Sequence, residues 1–207
     1  MVQNARTTPP PIQWGLAARS LDGGACSGDL HLVKGFPGGA LVALVDGVGH
    51  GEEAQSVARS AVDTLAAAPG QPILDHLFQC HKALSGTRGA VLGLAVIDYA
   101  ASQLTWVAVG NVQGILWKNA EPNSRSHLVG RSGVLGHQLP ALISPSSLPL
   151  QRGDVLILSS DGISGAYADT IVPRQAPQYI ADQIMEQYGT GRDDALVLVV
   201  RYLGLSA

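Results

Sequence analysis

Apolar and polar residues recur with two different periods along this chain, and the change of period marks its elements. Residues 12–18 and 29–34 alternate or are rich in strand formers. "KGFPGG" (34–39) is turn chemistry that leads into "ALVALV" (40–45), so the pattern predicts a hairpin. From Glu52 the period lengthens: Ala54, Val57, Ala58, Ala61, Val62 and Leu65 recur at helical spacing until Pro69 and Gly70 stop it. Glu52 and Glu53 fall in the first turn, where the helix dipole favours acids. A second helix is predicted after Pro72, burying Ile73, Leu74, Leu77, Phe78 and Leu84.

Three strands then follow closely, "AVLGLAVIDY", "QLTWVAVG" and "GILWK". Residues 119–147 are rich in Gly, Ser and Pro and read as loop with short strands. "DVLILSS" (154–160) is continuously apolar, as a strand buried on both faces is. "APQYIADQIMEQYG" predicts a helix closed by Gly189, and "ALVLVVRYL" a last core strand. Strands joined by tight turns imply antiparallel rather than alternating βαβ pairing. The fold class expected is α+β, a four-layer α-β-β-α sandwich of two mostly antiparallel sheets flanked by helices.

Composition narrows the function. The 207 residues, 46% apolar and 14% charged, suit one domain with a large core. We expect an extended arm over 1–11, containing Pro9 to Pro11, and a single domain over 12–207. The N-terminal stretch lacks the apolar core of a signal peptide. The longest apolar run, 89–97, is too short to span a bilayer, so no membrane contact is expected. A net charge of −3 with 13 scattered basic residues argues against nucleic acid. Cys26 and Cys80 read as free thiols, and the expected compartment is the cytoplasm.

The chemistry lies in aspartates at strand ends. Asp29 follows "GGACSG" and begins a strand; Asp46 ends "ALVALV" and precedes Gly47. Asp161 ends "DVLILSS" and precedes Gly162, and Asp193 and Asp194 stand before "ALVLVV". Any one of them alone reads as an ordinary turn or cap residue. If the strand ends converge, the carboxylates repel and raise one another's pKa unless cations sit between them. Oxygen-only sites suit Mg²⁺ and Mn²⁺, and adjacent glycines leave room for water and backbone carbonyl ligands.

The ordered set "SGD" (27–29), "VDGVGHG" (45–51), "GVLG" (133–136), "LSSDGI" (158–163) and "RDDALVLVV" (192–200) resembles the metal-dependent serine/threonine protein phosphatases of the PPM, or PP2C-like, group. The likeness runs from about Trp14 to the end and is to the bacterial sporulation and stress-response branch. It implies hydrolysis of phosphoserine or phosphothreonine by water activated on two Mn²⁺ or Mg²⁺ ions. Under it, Asp46 bridges both ions, the Gly47 carbonyl joins one of them, and Asp161 and Asp193 ligate the other. Asp29 holds a metal-bound water or a third, looser ion, while the role of Asp194 stays open. The small size looks most like the stand-alone phosphatase that resets the bacterial stressosome. The implied partners are phosphorylated STAS-domain proteins, and the implied state is a monomer. The arginine that many relatives carry just before the first acid is missing here; the nearest is Arg19. Leu196 replaces a threonine, and residues 110–147 are short for a flap subdomain.

His50, four residues after Asp46, is a candidate catalytic proton donor or a helix-start residue that orients its loop. His137 borders "GVLG" as a loop histidine, and His76 and His81, five apart, lack a helical metal-pair spacing. Trp106 and Trp117 read as core or sheet packing, and Cys26 as a small buried filler. Two other functions were weighed. A catalytically inactive adaptor of the same fold is disfavoured by the complete acid set. A phosphate-binding "GVGHG" loop wants a lysine after the glycines, where Glu52 and Glu53 stand.

Overall fold

The computed structural model describes residues 11–21, 23–24, 26–121 and 124–205; the predicted arm over 1–11 lies outside them except for Pro11. In chain order the elements are β1 (Ile12–Arg19), β2 (Asp29–Phe36), β3 (Gly39–Gly47), α1 (Gly51–Ala67) and α2 (Ile73–Ala83). Then come β4 (Ala90–Asp98), β5 (Gln103–Val109), β6 (Gln113–Trp117), β7 (Arg125–Leu128) and β8 (Ser146–Pro149). β9 (Val155–Ser159), α3 (Tyr167–Thr170), α4 (Pro177–Tyr188) and β10 (Ala195–Tyr202) complete the chain.

Two five-stranded sheets form, ordered β1-β10-β9-β6-β7 and β2-β3-β4-β5-β8. Every named pairing in them is antiparallel. Three apolar layers hold them. Between the sheets, Val42 and Leu44 of β3 meet Leu196, Leu198 and Val200 of β10, with Trp106 filling the centre. The opposite face of β3, Leu41, Ala43 and Val45, packs on α1 and α2. The opposite face of β10, Ala195, Val197 and Val199, packs on α3 and α4 with Trp117. The inner strands β3, β4, β9 and β10 are therefore apolar on both faces, as continuous apolar runs require. The sandwich is the α-β-β-α architecture expected.

Local differences have simple causes. Phe78 is 49% exposed, whereas His76 is fully buried. The stripe Ile73, Leu77, Cys80, Leu84 sets the buried face of α2, and Phe78 lies about 100° off it. His76 lies on that face because Gln71 and the Pro69 carbonyl satisfy its two nitrogens. Its placement is structural, as is that of His81, whose Nδ1 accepts the Gly136 amide at 3.1 Å. Gly189 ends α4 in an extended conformation, not the left-handed one expected of a closing glycine. The short helix α3 carries no sequence signal. Both cysteines are free, and Cys26 is half-buried rather than a core filler. Among the described residues no helix is long and apolar enough to cross a membrane.

At the start of β9, buried Asp154 is fully satisfied. It accepts the Asn119 and Gln151 amides, both at 2.9 Å, and pairs with Lys118 at 3.0 Å. Asp154→Ala should cost about 3 kcal/mol by stripping these partners. Chemical unfolding checks this.

Candidate metal centre

The far ends of β2, β3, β9 and β10 build the acidic rim. The antiparallel register sets Asp29, the first residue of β2, directly opposite Asp46 near the end of β3. In the other sheet, β9 and β10 pair Ser159 with Val197, and the Ser160 amide extends the ladder to the Leu196 carbonyl at 3.1 Å. Asp161 thus leaves β9 just where Asp193 and Asp194 enter β10. Residues far apart in the chain meet because each sheet delivers one pair.

Two glycines make this convergence possible. A Cβ on Gly47 would lie 2.2 Å from the Ala54 carbonyl oxygen of α1, and one on Gly162 would lie 2.0 Å from that of Asp194. Close backbone approach, more than room for ligands, requires the glycine after each aspartate.

The five acids differ in setting. Asp29 and Asp194 are buried, Asp46 is half-buried, and Asp161 and Asp193 are exposed. Asp194 turns inward: Oδ1 accepts the Leu21 amide at 2.8 Å and Oδ2 the Gly28 amide at 2.6 Å. It ties the loop before β2 to the head of β10, which is a positioning role. Asp161 accepts a hydrogen bond from Asn111 at 2.8 Å, and Asp193 accepts the Asp194 amide at 2.8 Å. Asn111, Ser160 and Asp194 as clamps were not read from the sequence; the only signal was the "SS" doublet ending a buried strand.

Burial pushes the Asp29 carboxyl up to about 7; a Ser160 hydrogen bond opposes the shift, while Asp194, Asp161 and Asp193 add to it. Asp46 is pushed up to about 8, by burial first and then by Asp29, Asp161, Asp193 and Asp194. Both shifts draw on Asp161, Asp193 and Asp194, so acids of one sheet act on the buried pair of the other. Asp29 Oδ2 is buried without a hydrogen-bond partner. Oxygen donors, mutual repulsion and this orphaned atom all fit a hard divalent cation. Among the described residues no three such side chains stand in a ready-made ligand cluster, so water and backbone carbonyls would have to complete a shell. Mg²⁺ ordinarily keeps several waters.

His50 occupies the N-cap of α1 with an extended backbone and makes no side-chain cap bond; it is exposed beside the rim's loop. His137 is exposed and stands against Gly89.

The family model of stage II sporulation protein E (SpoIIE) matches residues 37–203. Phosphoserine phosphatase RsbX of Bacillus subtilis is 23% identical over 184 residues, 88% of this chain and 90% of that protein. Among solved structures, RsbX in complex with magnesium superposes with a TM-score of 0.82 at 20% identity, covering 92% of this chain and 95% of that one. A chain from work on the bacterial stressosome as a modular system adapted to control secondary messenger signalling gives 0.83 at 28% identity. There 93% of this chain and 100% of the other are covered.

The rim predicts a pH dependence. A carboxyl whose pKa is higher folded than unfolded favours folding while protonated and opposes it once ionised. With Asp29 and Asp46 raised from 3.8 to about 7 and about 8, stability of chelator-treated protein should fall as pH rises across that range. A drop in Tm of roughly 5–10 °C is expected between pH 5 and pH 8.5 at a few kcal/mol of penalty. Asp46→Asn should remove its own share and leave the part due to Asp29, and thermal unfolding across pH measures both.

Proposed function

Because the chain belongs to the SpoIIE family of PP2C-type phosphatase domains, we propose that it hydrolyses phosphoserine or phosphothreonine monoesters on partner proteins with the help of two Mn²⁺ or Mg²⁺ ions. The observation that carries this reading is the gathering of Asp29, Asp46, Asp161 and Asp193 on one rim, with one buried carboxylate oxygen left unpartnered. The phosphatase domain is read as residues 12–207, without a large flap.

Asp46 would bridge the ions, with the Gly47 carbonyl on one and Asp161 and Asp193 on the other. Asp29 would hold a water or a third ion, and Asp194 positions Asp29 through the Gly28 amide. When bound, the ions supply a water acidic enough to ionise near neutral pH, and positive charge opposite the phosphoryl oxygens. The chain's own contribution is geometric. Asn111 orients Asp161, the backbone packing at Gly47 and Gly162 fixes the strand ends, and His50, at the N-cap of α1, is the candidate to give a proton to the leaving oxygen. Neither cysteine lies in a motif for a covalent phosphoenzyme, and the reading needs none.

The partners proposed are phosphorylated STAS-domain proteins of a stressosome-type assembly. This rests on the likeness to RsbX and to the stressosome-related chain. A monomer in the cytoplasm is the expected working form.

The test is incubation with phosphorylated STAS-domain proteins with and without Mn²⁺, measuring released phosphate. Hydrolysis should require the ion. Asp46→Asn should lower it by roughly two orders of magnitude or more, in keeping with loss of a central charge-stabilising group, while leaving the chain folded by circular dichroism. Unchanged turnover in that variant would remove the bridge.

A further inference from the structure

A dianionic phosphate arriving at a rim of aspartates gains from a cation on the chain besides any bound ion, and Arg88 stands beside the loop that follows Asp46. The β3–β4 ladder pairs Gly47 with Ala90 and runs one step further, the Val48 amide donating to the Gly89 carbonyl at 3.0 Å. This register sets Arg88 opposite Gly49, in the bend that follows β3 and Asp46. That bend lies against the loop carrying the first acid: a Cβ on Gly28, beside Asp29, would stand 3.3 Å from the Gly49 carbonyl oxygen.

The guanidinium is seated on bare backbone. Gly49 has a φ of +95°, and a Cβ there would lie 2.8 Å from Arg88 Nη1. Any other residue at 49 would be strained and would displace the arginine. Arg88 pairs with Glu53 in the first turn of α1, with side chains 51% and 71% exposed. Ion pairs so exposed contribute about 0–1 kcal/mol and are easily exchanged. The pair lines a surface groove together with Ser56 and Val57 on α1 and Gly86 and Thr87 before β4. Phosphate offers a guanidinium a second charge and a bidentate oxygen pair, a better partner than a solvated carboxylate.

We propose that Arg88 is the residue that binds the substrate phosphate, and that Glu53 is its internal competitor, holding the guanidinium until the phosphorylated side chain enters. This inference rests on the phosphatase reading for its substrate but not for its test. The ion pair then has opposite consequences for its two members. Removing the arginine removes a phosphate ligand; removing the glutamate frees one.

Calorimetric titration of the Mn²⁺-loaded protein with inorganic phosphate separates this from a merely structural pair. Arg88→Ala should weaken phosphate binding roughly tenfold, Arg88→Lys less, because a point charge replaces a fork. Glu53→Gln should tighten binding two- to threefold (on the order of RT ln 2–3). With p-nitrophenyl phosphate, the same variants should move KM in these directions more than kcat. Changes of the same sign in Arg88→Ala and Glu53→Gln, or equal binding in all the proteins, overturn the assignment. Glu53→Gln keeps the test decisive should Arg88→Ala fold poorly. Phosphate binding that follows this pattern in a protein that hydrolyses no phosphoprotein would sink the phosphatase reading and leave Arg88 as the anion ligand.

Discussion

Repulsion among carboxylates held at the ends of strands is the constraint on which the rest depends. Asp29 and Asp46 face each other across a strand pair, both drawn out of water, and three further acids lie close enough to push their pKa values up. Such an arrangement opposes folding near neutral pH in the absence of cations. It persists because β3 and β10, inner strands of the two sheets, are fixed on both faces and hold the edge of the rim in place. β3 cannot slip without turning Val42 and Leu44 out of one layer and Leu41, Ala43 and Val45 out of another. β10 is fixed in the same way by Leu196, Leu198 and Val200 on one face and Val197 and Val199 on the other.

The two sheets contribute unequally. The β2–β3 end supplies the buried and half-buried acids, with raised pKa values and the orphaned Asp29 oxygen. The β9–β10 end supplies exposed acids at 161 and 193 and spends its buried one, Asp194, on joining the sheets. That bond matters beyond its own energy. Asp29 follows Gly28, so the carboxylate that holds the Gly28 amide also fixes where the first acid points. One half of the rim creates the demand for a cation, and the other half aligns it.

How far this was legible in the sequence follows from what each feature depends on. Periodicity shows continuous apolar runs, and these became the strands buried on both faces. An aspartate before glycine at the end of such a run is also local information, so Asp46 and Asp161 stood out. The Asp194 clamp does not, because its partners Leu21 and Gly28 are 173 and 166 residues away and it carries no pattern of its own. Nor does Arg88, whose place beside Gly49 depends on strand register, which in turn follows from a pairing across α1 and α2. The glycines were visible but their reason was not, since the carbonyls of Ala54 and Asp194 that crowd them belong to other elements. Phe78 left its expected buried place for a related reason: hydropathy ranks phenylalanine as a core residue, while helix geometry turns it outward and buries His76 with its Gln71 and Pro69 partners.

β9 carries the comparison that gives the acidic rim its meaning. At one end of the strand, Asp154 is buried and every demand of its carboxylate is met, by two amides and a lysine. This fold is therefore able to satisfy a buried aspartate where the need is structural. At the other end, Asp29 is comparably buried, yet only a Ser160 hydroxyl eases it and one oxygen is left without a partner. No lysine or arginine pairs with Asp29 among the described ion pairs. The guanidinium of Arg88 is turned to Glu53 instead. A cation built into the rim would neutralise it permanently and leave nothing for a metal ion or a phosphate to do. Leaving the charge unbalanced within the chain makes the rim dependent on what binds there, and that dependence is what links its stability to its chemistry.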